Sequence, residues 1–244
     1  MTHIVLVHGA WAGGWVWDGL SPLLSNAGHH PHVVDLPGVG RWDDTEVTLD
    51  HVVGHVVDLV SALDSPAVLV GHSGGGVVVT QAAEAAAEHI AGVVYVAGMM
   101  LPSGTDFAML CSDLGLPGDV GISRWLEPTS DGRGTRVPPE AAAAVFFHES
   151  SAEHAISAAR RLRPQLESAR HIAPTWTRER FGSLPRLYIE TALDRTLPIA
   201  AQRHMQRLVP GAVVGTLVSD HAPQLSAADQ LCDALSDFAH GVGR

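Results

Sequence analysis

The first hundred residues alternate short apolar runs with segments of helical spacing, and this alternation restricts the possible fold more than any other feature of the chain. The apolar runs are rich in β-branched residues and read, in chain order, HIVLVHG, HPHVVDLPG, PAVLVG and GVVYVAG. Between them lie segments such as GWVWDGLSPLLSNAG and TLDHVVGHVVDLVSAL, the second with Thr48 as its candidate N-cap. The continuous run PAVLVG is typical of a strand buried on both faces. The pattern predicts an α/β fold with a mainly parallel sheet and helices on both faces.

The alternation stops near residue 101 and resumes near residue 184. The intervening stretch begins with many turn residues and no clean period, and helical segments follow around EAAAAVFF and SAEHAISAARRLRPQL. Alternation then resumes with PRLYIETALD, LPIAAQRHMQRLVPG, AVVGTLVSDH and SAADQLCDALSDFAHGV. We therefore predict a single structural domain. Its core is formed by residues 1–100 and 184–244, and residues 101–183 are inserted as a cap over the carboxyl edge of the sheet.

One serine stands among glycines where a predicted strand meets a predicted helix. The segment Gly71-His72-Ser73-Gly74-Gly75 matches the pattern G-x-S-x-G in the strand–turn–helix context that this motif requires. Glycines two residues before and after Ser73 allow a sharp turn, because neighbouring backbone can pass without Cβ clashes. The turn presents Ser73 at a helix N-terminus, where free N–H groups favour developing negative charge. Ser73 is therefore the candidate nucleophile.

A serine nucleophile needs a histidine base, and the base needs an acid that orients it. His221 directly follows the last predicted strand, at the sheet edge expected to hold Ser73. Asp194 ends an earlier strand and fits the chain order serine, aspartate, histidine. Asp106, after the fourth strand, is the alternative acid. Asp220 is adjacent to His221, but adjacent side chains on extended backbone point to opposite faces, which argues against it.

Ester chemistry also needs hydrogen-bond donors for the oxyanion. The turn after the first strand, His8–Trp11, contains a glycine that frees backbone N–H groups, and we assign one donor to Ala10. The second donor is the N–H that follows the nucleophile, which belongs to Gly74.

Composition excludes several other classes of function. The net charge is −11, and the sequence contains arginine but no lysine, so it offers no basic surface for nucleic acid or for anionic membranes. Cys111 and Cys232 form no metal-like or disulfide pattern, and the first residues do not resemble a signal peptide, so we expect a cytoplasmic protein. His29, His30 and His32 lack the carboxylate or cysteine partners of a metal site. We expect neither metal nor cofactor.

These motifs together resemble the α/β-hydrolases. Within that family, the chain is most similar to the branch that contains plant methyl-ester esterases of the methyl salicylate type, hydroxynitrile lyases and related bacterial esterases. The resemblance extends over nearly the whole length and rests on the blocks HIVLVHGAWAGGWVW, LVGHSGGGV, TRERFGSLPRLYIETALDRTLP and VSDHAPQLS. It implies the same nucleophile, acid and base, Ser73, Asp194 and His221, with Ala10 and Gly74 as oxyanion donors.

Two departures from the lyases favour hydrolysis. The lyases carry a threonine in the first-strand turn, where this chain has Gly9, and a lysine after the histidine, where it has Ala222. That lysine helps to bind the leaving cyanide, and a chain without lysine does not supply it.

The predicted reaction is hydrolysis of a carboxylic ester of a small, largely apolar molecule. We expect the pocket wall to include the aromatic residues Trp11, Phe107, Trp125, Phe146 and Trp176. Two alternatives remain open at this point. One is a lyase or natural-product tailoring enzyme that uses the same pocket for proton transfer, and the other is a small-molecule receptor with slow turnover.

Overall fold

The computed structural model describes residues 1–40, 47–117, 120–170 and 172–243. The strands in these ranges are β1 (His3–Val7), β2 (His30–Val34), β3 (Ala67–His72), β4 (Ile90–Val96), β5 (Glu127–Pro128), β6 (Gly134–Arg136), β7 (Gln165–Leu166), β8 (Arg186–Thr191) and β9 (Ala212–Leu217). The α-helices are α1 (Leu20–Asn26), α2 (Leu49–Ser61), α3 (Gly75–Ala85), α4 (Phe107–Asp113), α5 (Pro139–Val145), α6 (Ala152–Arg161), α7 (Ile199–Leu208), α8 (Pro223–Ser226) and α9 (Ala228–Val242). No helix in the described ranges is both long enough and apolar enough to cross a membrane.

The larger sheet has six strands in the order β2-β1-β3-β4-β8-β9, and every neighbouring pair is parallel. Helices cover both faces. The predicted α/β fold with a mainly parallel sheet is therefore confirmed.

Both faces of the central strands are buried, because consecutive side chains of a strand point to opposite faces. In β3, Leu69 packs with residues of α2 and α3, whereas Val68 and Val70 pack on the other face with residues of α1 and α9. All six residues of β3 are buried. Burying one such aliphatic side chain contributes roughly 1.5–3 kcal/mol, which explains why the run is continuously apolar.

Local signals set the ends of the helices. Thr48 caps α2 as predicted, and its hydroxyl accepts a hydrogen bond from the N–H of His51 at 3.4 Å. The segment 14–28, predicted as one helix, is divided into a 3₁₀ turn at Gly14–Trp17 and the helix α1. Pro22 lies in the first turn of α1, where its missing N–H is tolerated, so the proline fits a helix that begins at Leu20.

The described residues between β4 and β8 add no strand to the larger sheet, in which these two strands are direct neighbours. This segment contains α4, α5 and α6 and the three strands of a small antiparallel sheet in the order β5-β6-β7. Its own apolar cluster includes Phe146 and Phe147 and packs on Trp11 of the first-strand turn. The role of residues 101–183 as a cap stays a prediction.

The parallel sheet places four predicted site residues at one edge. Because the carboxyl ends of parallel strands lie on the same side, the residues that follow different strands can converge there. Ala10 follows β1, Ser73 follows β3, Asp194 follows β8 and His221 follows β9.

Candidate active site

Ser73 occupies a strained turn between β3 and α3. Its φ is +52°, a left-handed conformation that costs a non-glycine residue roughly 1–2 kcal/mol. Hydrogen bonds to the N–H group and to the carbonyl oxygen of Ser73 hold the turn in place. The Ser73 N–H donates to the carbonyl of Val96 at 3.2 Å, and the Ser73 carbonyl accepts from the N–H groups of Gly76 at 3.0 Å and Met99 at 2.9 Å. The surrounding backbone therefore fixes where the hydroxyl-bearing residue stands.

Gly71 and Gly75, two residues before and two residues after Ser73, are required by close packing. A Cβ on Gly71 would lie 2.6 Å from the Val79 side chain and 2.7 Å from the Gly75 carbonyl oxygen. A Cβ on Gly75 would lie 2.6 Å from the carbonyl oxygen of His8, at the end of the neighbouring strand. The motif spacing thus lets β1, β3 and α3 approach closely around the serine.

His221 and Asp194 meet through a short hydrogen bond. The distance between His221 Nδ1 and Asp194 Oδ2 is 2.7 Å, and both side chains are almost fully buried. Asp194 Oδ1 accepts from the backbone N–H groups of Thr196 at 2.7 Å and Leu197 at 2.8 Å. These two donors fix the orientation of the carboxylate. Since Asp194 accepts from Nδ1–H, the neutral His221 carries its free lone pair on Nε2.

The other two aspartates are engaged elsewhere. Asp106 is the N-cap of α4 and accepts from the Met109 N–H at 2.8 Å. Asp220 accepts from the N–H groups of Glu149 and Ala222, at 2.8 and 3.1 Å. Both carboxylates thus accept hydrogen bonds from backbone N–H groups. The carboxylate hydrogen-bonded to His221 belongs to Asp194.

His72, the variable residue of the serine motif, connects the serine turn to the histidine loop. Its Nε2–H donates to the backbone carbonyl of His221 at 2.7 Å, and the two rings lie 4.8 Å apart. Burial, followed by repulsion from His221, lowers the pKa of His72 from its ordinary value of 6.5 to about 3. His72 therefore stays neutral near pH 7 and acts as a fixed donor. It has no role in the sequence-based predictions, because its partner lies 149 residues away.

The N–H groups of Ala10 and Gly74 lie on facing turns. A Cβ on Gly74 would lie 3.9 Å from the amide nitrogen of Ala10. Within the part of the chain that the structure describes, neither N–H has a hydrogen-bond acceptor. His8 braces the Ala10 turn, because its Nδ1–H donates to the Gly9 carbonyl at 2.8 Å and its Nε2 accepts from the N–H of Leu36 at 3.0 Å. Backbone N–H groups without an acceptor are able to stabilise a developing negative charge.

A cavity of about 580 Å³ lies over these groups. Its wall includes Ser73, His221 and the two amide-bearing residues Ala10 and Gly74. Most of the remaining wall is apolar and includes Val16, Val52, Val77, Val78, Met99, Ile122, Leu126, Phe147, Leu162, Ile172 and Leu197. The volume and lining suit a small molecule with a large apolar surface.

Three of the five aromatic residues expected in the pocket wall line this cavity, namely Trp11, Phe107 and Phe146. Trp125 and Trp176 are not among the residues that line it. Trp125 lies at the surface with 52% of its area exposed. Trp176 packs edge-on against Phe181 and donates its Nε1–H to the carbonyl of Leu101 at 3.0 Å, so its ring is directed into the core.

The two positions that separate this chain from the lyases both line the cavity. A Cβ on Gly9 would lie 2.8 Å from Ser73 Cβ, so a larger residue requires a shift of the turn. Ala222 is buried, with 1% of its area exposed, and places only a methyl group beside His221.

The histidines near residue 30 take part in ring contacts. The His29 ring lies 5.0 Å from the ring of His240, and His32 Nε2 lies 2.9 Å from His3 Nδ1. Among the described residues, no group of three or more histidine, cysteine, aspartate or glutamate side chains is placed to hold a metal ion.

Known proteins resemble this chain along nearly all of its length. The family model described as the alpha/beta hydrolase family matches residues 4–234. A pyrethroid hydrolase from Sphingobium wenxiniae is 30% identical over 251 residues, covering 98% of this chain and 88% of that protein. Methylesterase 17 from Arabidopsis thaliana is 30% identical over 255 residues, covering 99% of this chain and 92% of its own length. The crystal structure of a pyrethroid hydrolase from Sphingobium faniae superposes with a TM-score of 0.86 at 30% identity, covering 98% of this chain and 97% of the other.

Proposed function

We propose that this chain, which belongs to the alpha/beta hydrolase family, hydrolyses carboxylic esters through a covalent acyl-enzyme on Ser73. One observation carries the proposal. A serine on a strained turn, a histidine bonded to a buried carboxylate, and two amides with no acceptor among the described residues all border one cavity. The esterases and hydrolases among its relatives support the same class of reaction.

In the first half of the reaction, Ser73 Oγ attacks the ester carbonyl carbon and His221 Nε2 takes the serine proton. Negative charge moves to the carbonyl oxygen, where the N–H groups of Ala10 and Gly74 stabilise it. Asp194 holds the imidazole in the required tautomer and stabilises its positive charge. The tetrahedral intermediate then collapses, and the leaving alkoxide takes the proton from His221 as it departs as the alcohol.

In the second half, water replaces the alcohol. His221 Nε2 removes a proton from the water as its oxygen attacks the acyl carbon, and the same two amides stabilise the new oxyanion. Collapse releases the carboxylic acid and returns the proton to Ser73. Every proton moves between substrate, water and these residues, so the sequence of steps requires neither metal nor cofactor.

The lining of the cavity supports the proposal that the substrate is small and largely apolar. Aliphatic and aromatic side chains form most of its wall. Relatives named as a pyrethroid hydrolase and a methylesterase act, by those names, on esters. We therefore expect this chain to prefer esters with apolar acyl or alcohol groups over charged ones.

The surroundings of His221 favour hydrolysis over cyanohydrin cleavage. A leaving cyanide needs a cation to stabilise it in an apolar pocket. The residue after His221 is Ala222, and the sequence contains no lysine. Arg170 borders the cavity, but its guanidinium is paired with Glu167 at 2.6 Å. The positive charge of Arg170 is therefore balanced by the carboxylate of Glu167.

A panel of esters, lactones and thioesters, assayed on the wild type and on Ser73→Ala, tests the proposal. We expect ester hydrolysis in the wild type and a loss of kcat/KM of roughly 10³-fold or more in Ser73→Ala. Ser65→Ala, at an exposed position away from the cavity, serves as the control for purification and folding. Full ester hydrolysis by Ser73→Ala would rule out the acyl-enzyme route.

A further inference from the structure

The ring of Phe146 is stacked on the imidazole of His221. The two ring centroids lie 5.4 Å apart, and the ring planes differ by 29°. Phe146 directly follows α5 in the inserted segment and is buried. Its ring also stacks on that of Trp11 at 6.5 Å, and the backbone N–H of Trp11 donates to Oε1 of Gln165 at 2.8 Å. The imidazole of the proposed base is therefore packed against the inserted segment.

Asp220 joins the turn of residues 146–149 to the loop that carries His221. Its Oδ2 accepts from the backbone N–H of Glu149 at 2.8 Å, although 71 residues separate the two in the chain. Its Oδ1 accepts from the backbone N–H of Ala222, directly after His221, at 3.1 Å. The side chain is fully buried, with 0% of the residue's area exposed. One carboxylate thus connects the backbone of the inserted segment to the backbone beside the base.

A second hydrogen bond holds the chain just before Phe146. Nη1 of Arg195 donates to the backbone carbonyl of Ala144, near the end of α5, at 3.0 Å. Arg195 directly follows Asp194, so this bond connects the same part of the inserted segment to the loop that carries the acid. Arg195 is exposed, whereas Asp220 is buried. Because a hydrogen bond away from water is electrostatically stronger, the contact of Asp220 holds the turn more firmly.

A ring stacked on the base has two effects in the proposed reaction. Packing restricts rotation of the His221 imidazole, which would break the 2.7 Å contact between Nδ1 and Asp194. The imidazole also becomes a cation when it takes the proton of Ser73. The face of an aromatic ring attracts a cation within about 6 Å of its centroid, and the centroids here lie 5.4 Å apart. This attraction exists only while the base is charged, so it should raise kcat.

We propose that Phe146 is a positioning residue for the base His221, and that the buried carboxylate of Asp220 holds its ring in place. This inference rests on the proposed ester hydrolysis and adds a link between the inserted segment and the chemical step. The segment then contributes to the proton transfers as well as to the cavity wall. The inference also assigns a role to a buried carboxylate beside His221 that the proton transfers do not use.

Phe146→Leu tests the effect of the ring, because leucine keeps an apolar side chain but has no aromatic face. We expect kcat for ester hydrolysis to fall roughly three- to thirtyfold. The second measurement is the rate constant for labelling by diethyl fluorophosphate, in which Ser73 Oγ displaces fluoride from phosphorus and His221 takes the proton. This rate constant should fall by the same factor. A residue that only forms the cavity wall would change KM and leave labelling by this small probe at the wild-type rate, which would refute the inference.

A double variant shows whether Asp220 acts through Phe146. Asparagine has a single acceptor oxygen, so in Asp220→Asn one of the two backbone N–H groups loses its partner. We expect Asp220→Asn to lower both rates roughly threefold or more in the wild-type background, and by less than about twofold when Phe146→Leu is already present. Equal losses in the two backgrounds would refute this part of the inference.

Ser226→Ala is the matched control. The hydroxyl of Ser226 donates to Oδ1 of Asp220 at 2.8 Å, and its removal leaves the bond from Glu149 intact. Both rates should therefore stay within about twofold of the wild type. A loss as large as that of Asp220→Asn would show that Asp220 acts through its contacts beside His221 and would refute the role of the turn.

The extent of labelling separates positioning from folding. A variant that is only less folded labels a smaller fraction of its molecules at the wild-type rate constant, whereas loss of positioning lowers the rate constant and leaves the final fraction unchanged. Should Asp220→Asn fail to fold, Arg195→Met at the exposed contact takes its place in the double variant. Wild-type rates in Phe146→Leu refute the inference and leave the esterase proposal standing. Hydrolysis that persists in Ser73→Ala refutes the esterase proposal itself.

Discussion

His221 Nδ1 and Asp194 Oδ2 lie 2.7 Å apart, although 27 residues separate them in the chain. The contact depends on the parallel neighbours β8 and β9, which end at the same edge of the sheet. The other oxygen of the carboxylate, Asp194 Oδ1, accepts hydrogen bonds from the backbone N–H groups of Thr196 and Leu197. The loop after β8 thus determines the direction in which Asp194 presents its second oxygen.

Asp194→Asn is expected to reduce kcat severely while leaving the fold intact. The amide oxygen should stay with the two backbone N–H groups, which turns the NH₂ group toward His221. Nδ1 then has to accept, the proton moves to Nε2, and the base lone pair is lost. We expect a loss of up to ~10⁴-fold, measured by steady-state kinetics with circular dichroism as the folding check.

Asp106→Asn is the matched control, because asparagine preserves the N-cap of α4. We expect less than a tenfold change in kcat. A crippled Asp106→Asn beside an active Asp194→Asn would assign the acid to Asp106 instead.

His72 should make the protein less stable in acid. Because burial lowers its pKa to about 3, the folded protein takes up this proton at lower pH than the unfolded chain, whose histidine has a pKa near 6.5. Stability is therefore fully present above about pH 6.5 and is lost as the pH falls toward 3. Between pH 7.5 and pH 5, His72 should account for a loss on the order of 2 kcal/mol.

His72→Gln isolates that contribution, since glutamine keeps an amide donor for the His221 carbonyl but does not titrate. Urea unfolding at the two pH values should show a smaller loss in the variant than in the wild type. Equal losses in both proteins would show that His72 does not titrate as described.

Gly75→Ala should destabilise the protein far more than Gly74→Ala. The new methyl group at position 75 would lie 2.6 Å from the His8 carbonyl oxygen, whereas at position 74 its nearest contact is 3.9 Å away. Gly74 also has a helical φ of −58° that alanine adopts freely. We expect a loss of roughly 1–3 kcal/mol for Gly75→Ala and less than about 1 kcal/mol for Gly74→Ala, by denaturant unfolding. Equal stabilities would contradict the packing argument.

The protein should not cleave cyanohydrins. Ala222 offers no cation for a leaving cyanide, and Arg170 is paired with Glu167. With mandelonitrile, we expect cyanide release at the rate of the buffer alone, while aryl esters turn over. Ser73-dependent cyanide release that is faster than ester hydrolysis would identify a lyase.

The sequence predicts those parts of the molecule in which burial or close packing restricts the type of residue at successive positions. The β3 run is continuously apolar because both faces are buried, and Gly71 and Gly75 are required because a Cβ at either position would lie less than 3 Å from a neighbouring atom. Both features leave direct signatures in the order of residues. The fold and the candidate nucleophile could therefore be recognised from the chain alone.

Residues that act through distant contacts leave no such signature. His72 is one of fifteen histidines, and only the fold shows that it donates to the carbonyl of His221. Gln165 lies in an inserted segment without a clear period, and its contact with Trp11 spans 154 residues. For the same reason the sequence does not distinguish Trp125 and Trp176 from the aromatic residues that line the cavity, because nothing periodic indicates which way an irregular segment faces.

Covalent labelling of Ser73 tests the central claim most directly. The wild-type protein is treated with a fluorophosphonate and digested, and the modified peptide is located by mass spectrometry while ester hydrolysis is followed in parallel. We predict a single adduct on Ser73, loss of hydrolysis in proportion to labelling, and no adduct in Ser73→Ala. An adduct on another residue, or hydrolysis that continues when Ser73 is fully labelled, would contradict the account.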